Sequence, residues 1–222
     1  GALMADFNKD GALDIFVANY IICPLTEAAT CTINGVSTYC DPSTWDMYEP
    51  QQASLYFNND DGTFRDVSQA ANITMYSGRG MGVSMGDLDN DGDTDIYIAN
   101  DVTENFLWQN QGDGTFSQEA LFAGVAYDVH GHEQGSMGCD IGDYDGDGWF
   151  DIIVTSYQGQ PNTLYHNLRD GSFEDVTIQA GVLPGSMLYV SWACFFFDYD
   201  NDADMDLFIA NGHLQDNIEK IE

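Results

Sequence analysis

The sequence predicts an all-β fold of repeated four-stranded antiparallel units, and three observations lead there. Four acidic segments share one spacing, each is flanked by short β-like runs in the same phase, and no segment sustains a helical period. The segments are Asp6-x-Asn8-x-Asp10-Gly11-x-x-Asp14, Asp87-x-Asp89-x-Asp91-Gly92-x-x-Asp95, Asp143-x-Asp145-x-Asp147-Gly148-x-x-Asp151 and Asp198-x-Asp200-x-Asp202-Ala203-x-x-Asp206. Their first residues stand 81, 56 and 55 positions apart, and the 81 is the same period carrying an insertion of about 25 residues. A period near 55 marks a repeat architecture with a unit slightly longer than kelch.

The elements of one unit follow in order. Strand A is the short apolar stretch before each acidic loop, at residues 2–5, 82–86, 137–142 and 192–197. Strand B follows the loop as Ile15-Phe16-Val17-Ala18-Asn19, Ile96-Tyr97-Ile98-Ala99-Asn100, Ile152-Ile153-Val154-Thr155-Ser156 and Leu207-Phe208-Ile209-Ala210-Asn211. Strands C and D flank an Asp-Gly turn three times, at Asp61-Gly62, Asp113-Gly114 and Asp170-Gly171. Asp-Gly between β-rich runs signals a hairpin, because Gly takes positive φ without a Cβ penalty. Four antiparallel strands per repeat describe a β-propeller blade. The whole chain, 1–222, reads as one propeller segment of about three and a half blades. Blade one spans 1–72 with an insertion at 20–50, blade two 81–125, blade three 135–182 and a half-blade 190–222. Seven blades at this period would need about 385 residues, so a ring requires either a longer polypeptide or strands from a neighbouring copy.

Composition narrows the function classes. The 222 residues carry 37 acidic and 5 basic side chains, a formal charge of -32. Such a chain lacks the Lys/Arg stripe that nucleic acid requires and the basic patch that docks on anionic membranes. No apolar run reaches the length of a membrane span. With 44% hydrophobic residues the chain still has a core to bury.

Seventeen of the carboxylates fall in the four nine-residue loops. Side chains at positions 1, 3, 5 and 9 with a backbone carbonyl at 7 can wrap one hard cation, and an irregular all-oxygen shell suits Ca2+ best. The candidate ligands are Asp6, Asn8, Asp10, Ala12 and Asp14 in loop one. In loop two they are Asp87, Asp89, Asp91, Asp93 and Asp95. Loop three offers Asp143, Asp145, Asp147, Trp149 and Asp151, and loop four Asp198, Asp200, Asp202, Asp204 and Asp206. Ala12, Asp93, Trp149 and Asp204 stand at position 7 and would contribute carbonyls. Up to four Ca2+ are expected, one per loop. Position 12 falls inside strand B as Val17, Ile98, Val154 or Ile209, where an EF-hand needs Glu between helices. The fourth loop has Ala203 where the others have Gly, so it is expected to be the weakest.

These loops and strands resemble the FG-GAP/VCBS repeat of integrin α-like propellers. The strings Phe16-Val-Ala-Asn-Tyr20, Ala99-Asn-Asp-Val-Thr-Glu-Asn-Phe-Leu107, Ala123-Gly-Val-Ala-Tyr127, Asn162-Thr-Leu-Tyr165 and Ala210-Asn-Gly-His213 are most similar to bacterial ASPIC/UnbV-associated proteins related to cartilage acidic protein. The resemblance implies a secreted or cell-surface, calcium-stabilised propeller of about seven blades, of bacterial origin, and it carries over no catalytic residue. Relatives place a Cys pair in the blade-one insertion, which implies a Cys31–Cys40 disulfide, with pairing through Cys23 left open. Cys139 and Cys194 share one strand-A position and read as buried small hydrophobes.

Weaker signals stay bland. His130-x-His132-Glu133 reads as a surface loop more readily than as a transition-metal site, Asn72-Ile73-Thr74 as an unused glycosylation sequon, and Asp101, Glu104 and Asn105 as a structural Asx turn. No Ser/His/Asp arrangement or phosphate loop stands out, so no enzyme is expected. The expected function is a calcium-binding extracellular module for binding or adhesion, with a protein or glycan partner. The alternative is a structural protein whose incomplete blades join copies into a homo-oligomer, filament, tube or surface layer.

Overall fold

Each acidic segment ends one strand and starts its antiparallel neighbour, and that local rule sets the sheet order. The protein is described from a computed structural model covering residues 1–23, 30–39 and 48–213. In the first sheet β1 (Ala2–Ala5) pairs with β2 (Asp14–Val17). An inserted hairpin of β3 (Thr30–Ile33) and β4 (Val36–Tyr39) follows, and the sheet resumes with β5 (Ser54–Asn58) and β6 (Phe64–Asp66). The second sheet runs β7 (Gly80–Gly86), β8 (Asp95–Asn100), β9 (Phe106–Asn110) and β10 (Phe116–Gln118). The third runs β11 (Ser136–Gly142), β12 (Asp151–Ser156), β13 (Thr163–Asn167) and β14 (Phe173–Asp175). The fourth has β15 (Val190–Phe197) and β16 (Asp206–Gly212). The fold is therefore all-β, with the four-stranded antiparallel sheets of a β-propeller. The only α-helix among the described residues is the single turn α1 (Ala120–Ala123).

Turn chemistry agrees with the residues that form it. At the tip of the inserted hairpin Asn34 and Gly35 both have positive φ, 49° and 81°, as a two-residue type I′ turn requires. In the C–D connections the Asp before the Gly accepts the N–H two residues on: Asp61 from Thr63, Asp113 from Thr115 and Asp170 from Ser172. The Cys31–Cys40 pairing involves Cys40, which lies outside the described residues.

The core sits between sheets. In strand B alternate residues face opposite neighbours. Ile96 and Ile98 pack back on the first sheet with Phe16, Leu55 and Phe57, while Tyr97 and Ala99 pack forward on Ile152 and Val154 of the third. Ile153 faces the fourth sheet, where it meets Cys194, Phe196, Leu207 and Ile209. Strands β8 and β12 are accordingly buried on both faces. Strands A of successive sheets lie against one another, and glycine permits it. A Cβ on Gly82 would meet the Gly138 backbone at 2.7 Å, and one on Gly138 would meet the Trp192 carbonyl at 2.6 Å.

The strand-A register behaves differently at the two ends of the array. Val83 and Met85, Cys139 and Ile141, and Cys194 and Phe196 all pack toward the preceding sheet. Their counterparts in the first sheet, Ala2 and Met4, are exposed, Met4 by 54%, because no described sheet lies on that side. Phe196 is half-buried rather than fully enclosed, so the full loss of about 3–5 kcal/mol on truncating a buried Phe to Ala does not apply to it. Cys194 is buried and Cys139 nearly so, and burial pushes both thiols up, Cys139 to about 12. Asp101 does more than close a local turn: it accepts the Tyr20 hydroxyl across the sheet boundary at 2.7 Å.

Candidate metal centres

All four acidic loops close on the same backbone pattern. The position-1 carboxylate accepts two N–H groups, those of positions 5 and 6. Asp6 takes Asp10 and Gly11, Asp87 takes Asp91 and Gly92, Asp143 takes Asp147 and Gly148, and Asp198 takes Asp202 and Ala203. At position 3, Asn8, Asp89 and Asp145 accept the position-5 N–H as well. At position 5, Asp10, Asp91, Asp147 and Asp202 each accept the N–H of position 7, which belongs to Ala12, Asp93, Trp149 and Asp204. The chain curls around a cluster of carboxylates because those carboxylates cap its own N–H groups.

The curl needs left-handed residues. Position 6 has φ of 92°, 85° and 87° at Gly11, Gly92 and Gly148, and 74° at Ala203. Sequence reasoning anticipated that position and missed position 4, where Lys9, Asn90, Gly146 and Asn201 also have φ of 58° to 74°. The Asn and Gly choices there were the available signal, since both tolerate the left-handed region. Ala203→Gly is expected to stabilise the protein by about 0.5–1 kcal/mol. The relief of about 1–2 kcal/mol of left-handed strain is partly offset by the conformational entropy Gly loses. Urea denaturation of the two forms measures it.

Position 9 holds the loop to the sheet. Asp14, Asp95 and Asp151 each accept one N–H from position 2 of the loop (Phe7, Leu88, Tyr144) and one from the Asn ending strand C (Asn58, Asn110, Asn167), at 2.8–3.2 Å. Those asparagines were not singled out from the sequence, although the string Leu-Tyr/Trp-x-Asn repeats three times. Asn110 and Asn167 also donate to the carbonyls of Phe7 and Leu88 in the preceding loop, so each strand C ties its own loop to the one before.

Three loops bring acidic groups together. Asp87, Asp89 and Asp95 offer oxygens within 4.8 Å of one another, as do Asp143, Asp145 and Asp147, and Asp198, Asp200 and Asp206. A fourth such group joins Asp145 and Asp151 to His166, a residue the sequence reading passed over. Loop one has Asn8 at position 3 and forms no group of three carboxylates. Asp93, expected to contribute a carbonyl, turns its side chain to Lys9 of loop one at 2.8 Å. Asp147 pairs with Arg169, which holds its carboxyl below the usual range. Burial acts oppositely on position 9: it raises Asp14, pushes Asp95 up to about 7 and Asp151 up to about 6. Buried carboxyls that resist ionisation are what a bound cation would ionise, and the all-oxygen donor set suits a hard divalent ion.

His130 and His132 both lie on an exposed loop, where the Asp128 carboxylate accepts their backbone N–H groups. Among the described residues no helix is long and apolar enough to cross a membrane. Comparison with known proteins finds the FG-GAP-like repeat at residues 45–98, 87–154 and 143–209. Cartilage acidic protein 1 of Homo sapiens is 34% identical over 150 residues, 66% of this chain and 21% of that protein. Its counterpart in Xenopus tropicalis is 32% identical over 149 residues, 66% of this chain and 22% of that protein. The chain thus spans about a fifth of the length of these curated relatives. A solved Agrocybe aegerita lectin that recognises non-reducing terminal N-acetylglucosamine is similar at a TM-score of 0.40 and 17% identity, covering 94% of this chain and 60% of that one.

Proposed function

The chain belongs to the FG-GAP-like repeat family, and on that premise we propose that it is part of a calcium-bound, non-catalytic extracellular propeller that binds a partner. The observation that carries the reading is the fourfold loop, in which the same positions cap the same N–H groups, with acidic oxygens brought together in loops two, three and four. Calcium would neutralise a cluster that otherwise repels itself, and four ions would cancel a quarter of the formal charge of -32. The cation's role is structural: it holds the loops that join strand A to strand B. The relatives named cartilage acidic protein 1 support an extracellular setting.

For recognition, the cleft between the second and third sheets offers one surface. It is lined by Asp89, Gln109, Glu119, Phe122 and Asp170. Its carboxylates disfavour an anionic ligand and leave a neutral glycan or a basic protein segment as the fitting classes. A second reading, assembly through further blades, is favoured by the outer face of the fourth sheet. There Phe195 stacks on Phe208 at 5.0 Å, and both are more than 40% exposed. Such a face fits a following blade, from the same polypeptide or from a neighbouring copy. Equilibrium dialysis against calcium tests the primary reading. Up to four ions per chain are expected, and Asp87→Ala should remove one. No bound calcium at millimolar concentration would overturn it.

A further inference from the structure

Loop three differs from the others in the side chain that strand C points at it. The residue before the repeated Asn is Phe57 in the first sheet, Gln109 in the second and His166 in the third. Phe57 is apolar and packs in the core. Gln109 donates an amide N–H to Asp89 of its loop. His166 instead places Nδ1 3.2 Å from Asp151 Oδ1 and 3.5 Å from Asp145 Oδ2. That nitrogen is buried and makes no hydrogen bond of acceptable geometry. Asp151 Oδ1 also accepts the Asn167 N–H and Oδ2 that of Tyr144, which fixes the carboxylate and leaves each oxygen a second lone pair. The imidazole packs edge-on against Tyr144, which limits its rotation.

We propose that His166, Asp145 and Asp151 form a mixed nitrogen–oxygen site that gives loop three a preference for a borderline divalent transition cation, of the Zn2+ or Co2+ class. Imidazole nitrogen is a poor ligand for Ca2+ and a good one for these ions. A tetrahedral ion with bonds of about 2.0–2.2 Å has ligand-to-ligand edges of about 3.3–3.6 Å. The 3.5 Å distance from Nδ1 to Asp145 lies in that range and the 3.2 Å distance to Asp151 just below it, and the three donor atoms lie within 4.8 Å of one another. The buried nitrogen supplies what the carboxylates alone do not: a nitrogen donor that points at the cluster and makes no hydrogen bond. The inference rests on the reading that the acidic loops hold cations and makes one of the four selective.

The test uses the whole chain with Co2+ as the probe, in millimolar Ca2+ to occupy the oxygen-only loops. One Co2+ per chain is expected, with a visible absorption band that reports nitrogen ligation and is lost on adding Zn2+. His166→Gln copies the second sheet and His166→Phe the first, so both should keep the native circular dichroism. Each should weaken Co2+ binding at least about tenfold, since even outer-shell changes cost 10–100-fold. Calcium binding by the other loops should be unchanged. A Co2+ band that survives in both variants, or one abolished by His130→Asn with His132→Asn, would overturn the proposal while leaving the calcium count intact. Absence of bound calcium and cobalt alike would overturn the cation reading itself.

Discussion

Chelation is expected to lower the melting temperature of the calcium-loaded protein by about 20–40 °C. A site held at a hundredfold excess over its dissociation constant stabilises by about 2.7 kcal/mol, so four contribute about 11 kcal/mol. That is comparable to the whole stability of a typical domain, about 5–15 kcal/mol, and each kcal/mol moves the melt of a chain this size by about 2–4 °C. The effect depends on pH in a determined direction. In the cation-free fold burial holds the Asp95 carboxyl at about 7 and that of Asp151 at about 6, above their ordinary value. The folded chain therefore keeps protons that the unfolded chain has released. Their contribution is complete below about pH 4 and is lost as pH rises through 6 to 7. Cation-free protein should melt lower at pH 8 than at pH 5. Calcium competes with the same protons, so the gap between loaded and chelated melts should widen over that interval. Calorimetry in calcium and in excess chelator measures both, and an unchanged melt would remove calcium from the account.

Phe16→Ala is expected to cost about 3–5 kcal/mol, the loss for a fully enclosed Phe. Phe16 is 0% exposed and packs in the core between the first and second sheets. Its repeat-equivalent in the fourth sheet is Phe208, two residues after the loop's last Asp in the same strand B. Phe208 is 46% exposed and stacks on Phe195 on an uncovered face. Phe208→Ala should therefore cost much less, on the order of 1 kcal/mol, in line with a stacked aromatic pair. Urea titration of both variants in saturating calcium gives the comparison. Equal losses would mean that the face carrying Phe208 is covered in solution.

Much of the fold could be read in the residues because it depends on local chemistry repeated in phase. Alternation in strands B, Asp-Gly in the C–D turns and Asn34-Gly35 in the inserted hairpin each specify backbone over a few residues, and copies reinforce one another. The acidic loops were legible for the same reason: carboxylates at alternate positions reach nearby N–H groups of the same loop. The left-handed position 4 was hidden at Lys9, a residue with no preference for that geometry, and became visible only when four copies adopted it.

The side chains that complete each loop arrive from strands far along the chain, and no spacing rule foretells them. Asn110 reaches back to Phe7 across 103 positions, and Lys9 reaches forward to Asp93. His166 reaches loop three because strand C pairs with the strand B that leaves that loop, and its counterparts Phe57 and Gln109 show that the repeat does not demand a histidine there. Burial was likewise undetermined by residue type. Met4 and Met85 hold the same register position on the same kind of strand, yet Met85 packs on a preceding sheet while Met4 is 54% exposed. Sequence periodicity assigns a side chain to a face of its strand; whether that face leaves water depends on what is stacked against it, because hydrophobic burial is a property of two surfaces brought together.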